Sequence, residues 1–138
     1  MRKEDCIFCK IINGDIPSNT IYENSDFKVI MDASPATKGH VLILPKEHFK
    51  DIYDIDAETA GKLFQLASVV ARALKEALHC DGLNILQNNG SIAGQTVFHF
   101  HMHLIPRYEG DTVTLKWEEH SVEDMDVEKI RQDIRKAL

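Results

Sequence analysis

The chain has 138 residues, 43% hydrophobic and 28% charged, with a net charge of −6. That length suits one domain with a proper core and is short for two, and the negative charge argues against broad electrostatic binding to nucleic acid or an anionic membrane, so an anionic ligand must be held by local groups. No run approaches the ~18–20 apolar residues of a membrane span, and the opening Met1–Cys6 segment lacks the form of a secretory leader, so the expected address is cytoplasmic.

In chain order, residues 6–13, stopped by Gly14, read as a short helix that opens with Cys6-Ile7-Phe8-Cys9. Three cysteines are an odd count, and a C-x-x-C pair in a reducing compartment suggests metal or redox chemistry rather than a disulfide framework. Strands are expected at Thr20–Glu23, Phe27–Asp32 and His40–Pro45, with Ser34, Pro35 and Gly39 in the last turn. Asp56 suits the N-cap of a helix reaching about His79, where Leu63, Phe64, Leu66, Ala67, Val70, Ala71, Leu74 and Leu78 form an apolar stripe. Asp81-Gly82 ends it. Leu83–Gln87 reads as a strand, Asn88–Gly94 as a polar loop and Thr96–Ile105 as a further strand. Val127, Ile130, Ile134 and Leu138 suit a final amphipathic helix, giving an α+β antiparallel meander with one long helix on a sheet face.

Within Thr96–Ile105, His99, His101 and His103 alternate with Phe100, Met102 and Leu104. The period of a strand puts the imidazoles on one face at steps of roughly 6.5–7 Å. Stacked rings, each with a donor and an acceptor to satisfy, point to a site. Three readings stand: metal ligands, a nucleophilic imidazole unprotonated at neutral pH, or histidines without a role.

His99-x-His101-x-His103, with apolar residues between, resembles the motif of the histidine triad (HIT) superfamily, closest to its Hint branch. Gly39-His40-Val41-Leu42-Ile43-Leu44-Pro45-Lys46 resembles the family's earlier histidine segment, and Asp32, Asn88, Gln95 and Thr96 fall in matching order, so the likeness spans roughly residues 6–107. It implies one HIT domain over 1–138, with residues 108–138 as a helical C-terminal extension, and a homodimer whose strands join into a continuous sheet with the long helix at the interface. It implies a hydrolase in which His101 attacks the α-phosphorus of a purine 5′-nucleotide derivative. His99 O would hold the other ring nitrogen of His101, His103 and His40 would line the phosphate pocket, and Thr96 would serve the departing amine. Gln95 would contact phosphate oxygens, Asp32 the ribose, and Asn88 either substrate or its own loop. Ile7, Phe8, Ile11, Ile30 and Leu42 match the apolar slot for the base, although each could equally be core. The related transferase branch carries glutamine where this chain has His103, which favours hydrolysis. Rival readings are a diadenosine polyphosphate hydrolase, a zinc-containing adaptor, and a metalloenzyme using His101 and His103 as ligands.

The cysteine pair leaves open a zinc site, a thiol redox pair or two buried cysteines. For zinc, His48 and His99 are the candidates to complete a tetrahedron with Cys6 and Cys9, as bacterial-type relatives carrying this pair suggest. Four protein ligands leave no open position, so such a zinc would be structural. His79, Cys80 and His120 match nothing and read as structural or surface residues.

Overall fold

The computed structural model describes residues 3–138; Met1 and Arg2, which begin the segment considered above as a leader, lie outside the described residues. The elements are α1 (Ile7–Ile12), β1 (Thr20–Glu23), β2 (Phe27–Met31), β3 (Val41–Pro45), α2 (Ala57–Leu78), β4 (Gly82–Leu86), β5 (Met102–Arg107) and α3 (Val127–Ala137). Short 3-10 turns lie at Ser91–Ala93 and Val122–Asp124. No helix among the described residues is long and apolar enough to cross a membrane.

The strands form one antiparallel sheet ordered β1-β2-β3-β5-β4. β1 to β3 are the expected meander; α2 then carries the chain to the far edge, and β5 enters between β3 and β4. Alternation decides which face each residue joins. Phe27, Val29, Val41, Ile43, Met102 and Leu104 meet Leu63, Ala67, Val70 and Leu74 of α2 in one core. Ile30, Leu42 and Leu44 face the other way and pack on Phe8, Ile11 and Ile12 of α1. The parity read from residues 99–104 therefore holds: the apolar set belongs to the α2 face.

Caps set the helix ends. The Asp56 carboxylate accepts from Thr59 N–H at 2.9 Å, and His79 adopts a left-handed φ of 52° to stop α2. Beside that end lies Gly39, at φ +90°, where an added Cβ would collide with Leu78 Cδ1. This glycine lets the turn before His40 settle onto α2. One residue of the expected stripe stays outside the core: Phe64 is 56% exposed.

The histidine strand begins later than its alternation suggests, at Met102 rather than Thr96. Upstream, the backbone bonds to loop groups instead of a sheet partner. Phe100 N–H donates to Phe49 O at 2.7 Å, and Val97 O accepts from the Gln95 amide at 3.1 Å. The strand also runs through Pro106. This is tolerated because β3 pairs only as far as Leu104, leaving the missing N–H of Pro106 without a ladder to break.

Candidate active site and an adjoining Cys/His cluster

On the α1 side of the sheet lies a cavity of about 360 Å³. Ile7, Phe8, Ile11, Ile30 and Leu42 supply its apolar walls, while Asp32, Thr96, His101 and His103 supply its polar groups. An apolar slot with a few converging polar groups is the usual form of a small-ligand site.

The ring nitrogens are assigned by their partners. His101 Nδ1 lies 2.7 Å from His99 O, an acceptor only, so Nδ1 carries the proton and Nε2 keeps a free lone pair. Ala36 N–H donates to His40 Nδ1 at 2.9 Å, so a neutral His40 carries its proton on Nε2. That Nε2 donates to His103 Nδ1 at 2.9 Å, with Asp32 Oδ2 3.4 Å away. His103 is thereby obliged to hold its own proton on Nε2. The ring centroids of His101 and His103 are 5.0 Å apart, and both rings line the cavity.

Burial holds all of these rings in the neutral form. It pushes His103 down to about 4, with the neighbouring His101 and His40 adding to the shift. His101 is also lowered by burial, against the raising effects of its bond to His99 O and of Asp32. His40 is lowered for the same reason, again against Asp32.

Directly behind His101, Cys6, Cys9, His48 and His99 bring one ligand atom each to within 4.8 Å of one another. Cys6 caps α1 and Cys9 sits in its first turn, where Cys9 N–H donates to Cys6 Sγ at 3.3 Å. His99 Nε2 donates to Pro45 O at 2.8 Å, leaving Nδ1 to face the sulfurs. Nδ1 lies 3.4 Å from Cys6 Sγ, 3.6 Å from Cys9 Sγ and 3.2 Å from His48 Nδ1. Zinc bonds of about 2.0–2.1 Å to nitrogen and about 2.3 Å to sulfur give tetrahedral edges of about 3.3–3.8 Å, which these spacings fit. Burial pushes the Cys6 thiol up and His99 down to about 4; a cation among the four would favour thiolate and neutral imidazole.

Every residue of the expected base slot lines the cavity, and so do Asp32, Thr96, His101 and His103. Three expected contacts do not. His40 is behind His103 rather than on the cavity wall, with its Nε2 against that ring's Nδ1. Gln95 is 3% exposed, with its amide donating to Lys50 O and Val97 O while its oxygen accepts from Gly90 N–H, so it ties the loop together. Asn88 Nδ2 donates to Gly94 O in the same loop at 3.4 Å. Asp32 lines the cavity while its Oδ1 accepts from Ser34 N–H at 2.8 Å and its Oδ2 approaches His40. The sequence reading passed over Pro17, Ser18, Asn19, Met31, Ala33 and Val97, which also line the cavity. The alternation of β2, which puts Ile30 in the slot, could have drawn attention to its continuation at Met31–Ala33; nothing local marks Pro17–Asn19. His79, read as structural, is the helix stop.

The family described as HIT domain matches residues 13–110. A crystal structure of a HIT family member from Bacillus subtilis superposes with a TM-score of 0.91 at 45% identity, covering 98% of each chain. A zinc-bound histidine triad family protein from Mycobacterium smegmatis superposes with a TM-score of 0.76 at 42% identity, over 86% of each chain. An adenylylsulfatase of Arabidopsis thaliana is 38% identical over 109 residues, 79% of this chain and 55% of the relative. The chain belongs to the HIT domain family.

Proposed function

We propose that the protein hydrolyses purine 5′-nucleotide derivatives at the α-phosphate, cleaving a phosphorus–nitrogen or phosphoanhydride bond through a nucleotidyl-His101 intermediate. The observation that carries this reading is the His101 ring, bonded through Nδ1 to the His99 carbonyl and presenting a bare Nε2 beside an apolar slot. The relative that acts as an adenylylsulfatase supports it, since an adenylyl sulfate is itself cleaved at the α-phosphate.

In this scheme Nε2 attacks phosphorus, an N–P bond forms and the bond to the leaving group breaks, its electron pair departing with that group. His103 Nε2–H donates to the phosphoryl oxygen as charge grows there. Thr96, at the cavity mouth, supplies a hydroxyl to the departing amine. Water then breaks the N–P bond, releasing the nucleoside monophosphate and restoring His101. The ribose hydroxyls meet Asp32, and the base lies between Ile7, Phe8, Ile11, Ile30 and Leu42. Cys6, Cys9, His48 and His99 hold a structural zinc, which fixes the backbone around His101. Two copies associate as a homodimer. β4 is an edge strand with exposed Ile85, α2 exposes Phe64 and Val69, and joining β4 edges would continue the sheet.

The test is mass spectrometry of protein quenched with a slowly hydrolysed nucleotide phosphoramidate. A nucleotide adduct on His101 is the expected result; turnover with the label on another residue, or none, overturns the covalent route. Relative rates on an adenosine phosphoramidate and a dinucleoside polyphosphate separate this reading from a polyphosphate hydrolase.

A further inference from the structure

The four-residue cluster is not sealed. A second cavity of about 360 Å³ reaches it beside the nucleotide slot, with which it shares Ile7, Thr96 and Val97; Lys3, Cys6, His48 and Phe98 also line it. Cys6 is partly exposed there, whereas Cys9 is 0% exposed behind it. Both sulfurs lie within 3.6 Å of the same His99 nitrogen, so they flank one point and can approach each other by side-chain rotation. The pair is therefore an open thiol in front of a covered one.

The same pair touches the candidate nucleophile by two routes. Phe8, between the cysteines in sequence, sets its ring edge-on to His101 at 4.9 Å and to His99 at 5.9 Å. His99, facing the sulfurs through its ring, holds His101 through its carbonyl.

We propose that Cys6 and Cys9 form a peroxide-sensitive dithiol whose oxidation to a disulfide empties the metal cluster and loosens His101. Cys6 Sγ attacks one oxygen of hydrogen peroxide, giving a sulfenic acid and one water. Cys9 Sγ then attacks the Cys6 sulfur, the S–S bond forms, and the sulfenic oxygen leaves as a second water. Peroxide takes up the two electrons, and the two protons come from the thiols where no metal is bound, or from solvent where zinc holds both sulfurs as thiolates. The linked sulfurs no longer offer two separate thiolates, so the remaining His48 and His99 do not hold a zinc ion. The first turn of α1 shifts with Cys9, and Phe8 moves off the His101 ring. Dithiothreitol with added zinc reverses the change.

The test uses the full chain loaded with zinc, in a Cys80→Ser background so that no third thiol competes. After hydrogen peroxide, peptide mapping is expected to find a Cys6–Cys9 disulfide, a chromophoric chelator to capture an equimolar amount of zinc, and NMR to show moved His101 ring resonances. Circular dichroism should remain that of a folded protein. Retained zinc, thiols still reduced at both positions, unmoved His101 resonances or global unfolding would each overturn the proposal. The effect on ligands rests on the nucleotide-pocket reading: AMP is expected to bind about tenfold more weakly to the oxidised form, in the range seen when support behind a site is lost. If AMP fails to bind the untreated protein, the pocket reading falls, while the disulfide, zinc and NMR readouts still decide the switch.

Discussion

His99 and His101 are two residues apart in one segment, both are buried, and each gives one ring nitrogen to a backbone carbonyl. They differ in which nitrogen is given. His99 commits Nε2 to Pro45 O and turns Nδ1 toward two sulfurs and a third imidazole. His101 commits Nδ1 to His99 O and turns Nε2 toward a cavity with an apolar lining. Identical side chains thus become a ligand in a crowded donor set and a free base at a slot. The difference teaches that residue type sets what chemistry is available, and the hydrogen-bonded partner decides which is used.

Removing one ring at a time breaks the comparison most sharply. His101→Ala should lower kcat by at least about 1,000-fold, as expected for loss of a nucleophile, while zinc content by atomic absorption and Tm stay near those of the parent. Cys9→Ala should do the reverse. Zinc affinity is expected to fall by more than about 100-fold and Tm with it, because a ligand is lost from a structural site, while the products of turnover are unchanged.

The third change sharpens the contrast within the pocket. His40→Ala removes the donor that fixes the His103 tautomer, and a loss of about 10- to 100-fold in kcat/KM is expected. His40→Gln should recover part of it, because a side-chain amide can still donate, and the acid limb of the pH–rate profile should move between the two variants. Equal loss in both, with no movement of the limb, would mean that His40 only fills space.

The smallest effect is expected outside both sites. The Arg107 guanidinium, bonded to both carboxylate oxygens, holds Asp111 well below the usual carboxylate range, helped by Tyr108 and Val113 N–H groups. Since the native state binds this proton less readily than the unfolded chain, the contribution is present above a pH of about 3.9 and fades as pH falls below it. Asp111→Asn should therefore narrow the difference between urea midpoints at pH 7 and pH 3. The pair is only half-buried and open to solvent on the Arg107 side, which keeps the change modest.

Much of this arrangement was legible in the sequence because it depends on period and spacing. The limits of β1 and the N-cap of α2 follow from local chemistry at Thr20–Glu23 and Asp56, whereas α2 stops on a left-handed His79 rather than at Asp81-Gly82. The parity of residues 99–104 correctly divided core from site, and C-x-x-C with His48 and His99 identified four groups that do converge. What was not legible depends on partners distant in sequence. The Gln95 amide is engaged by Lys50 O, and His40 retreats behind His103 because Ala36 N–H and Asp32 hold it there. The strand starts late for the same kind of reason: Phe49 O, rather than a neighbouring strand, takes the Phe100 N–H.

The two carbonyls that orient His99 and His101 belong to the main chain, at Pro45 and at His99 itself. No side-chain replacement deletes a peptide oxygen. Surrounding residues can therefore drift, or be redesigned for another ligand, without erasing the instruction about which way each ring must point; only a displacement of the peptide path would do so. Heritable orientation of this kind makes the segment a durable platform on which the walls can be rebuilt.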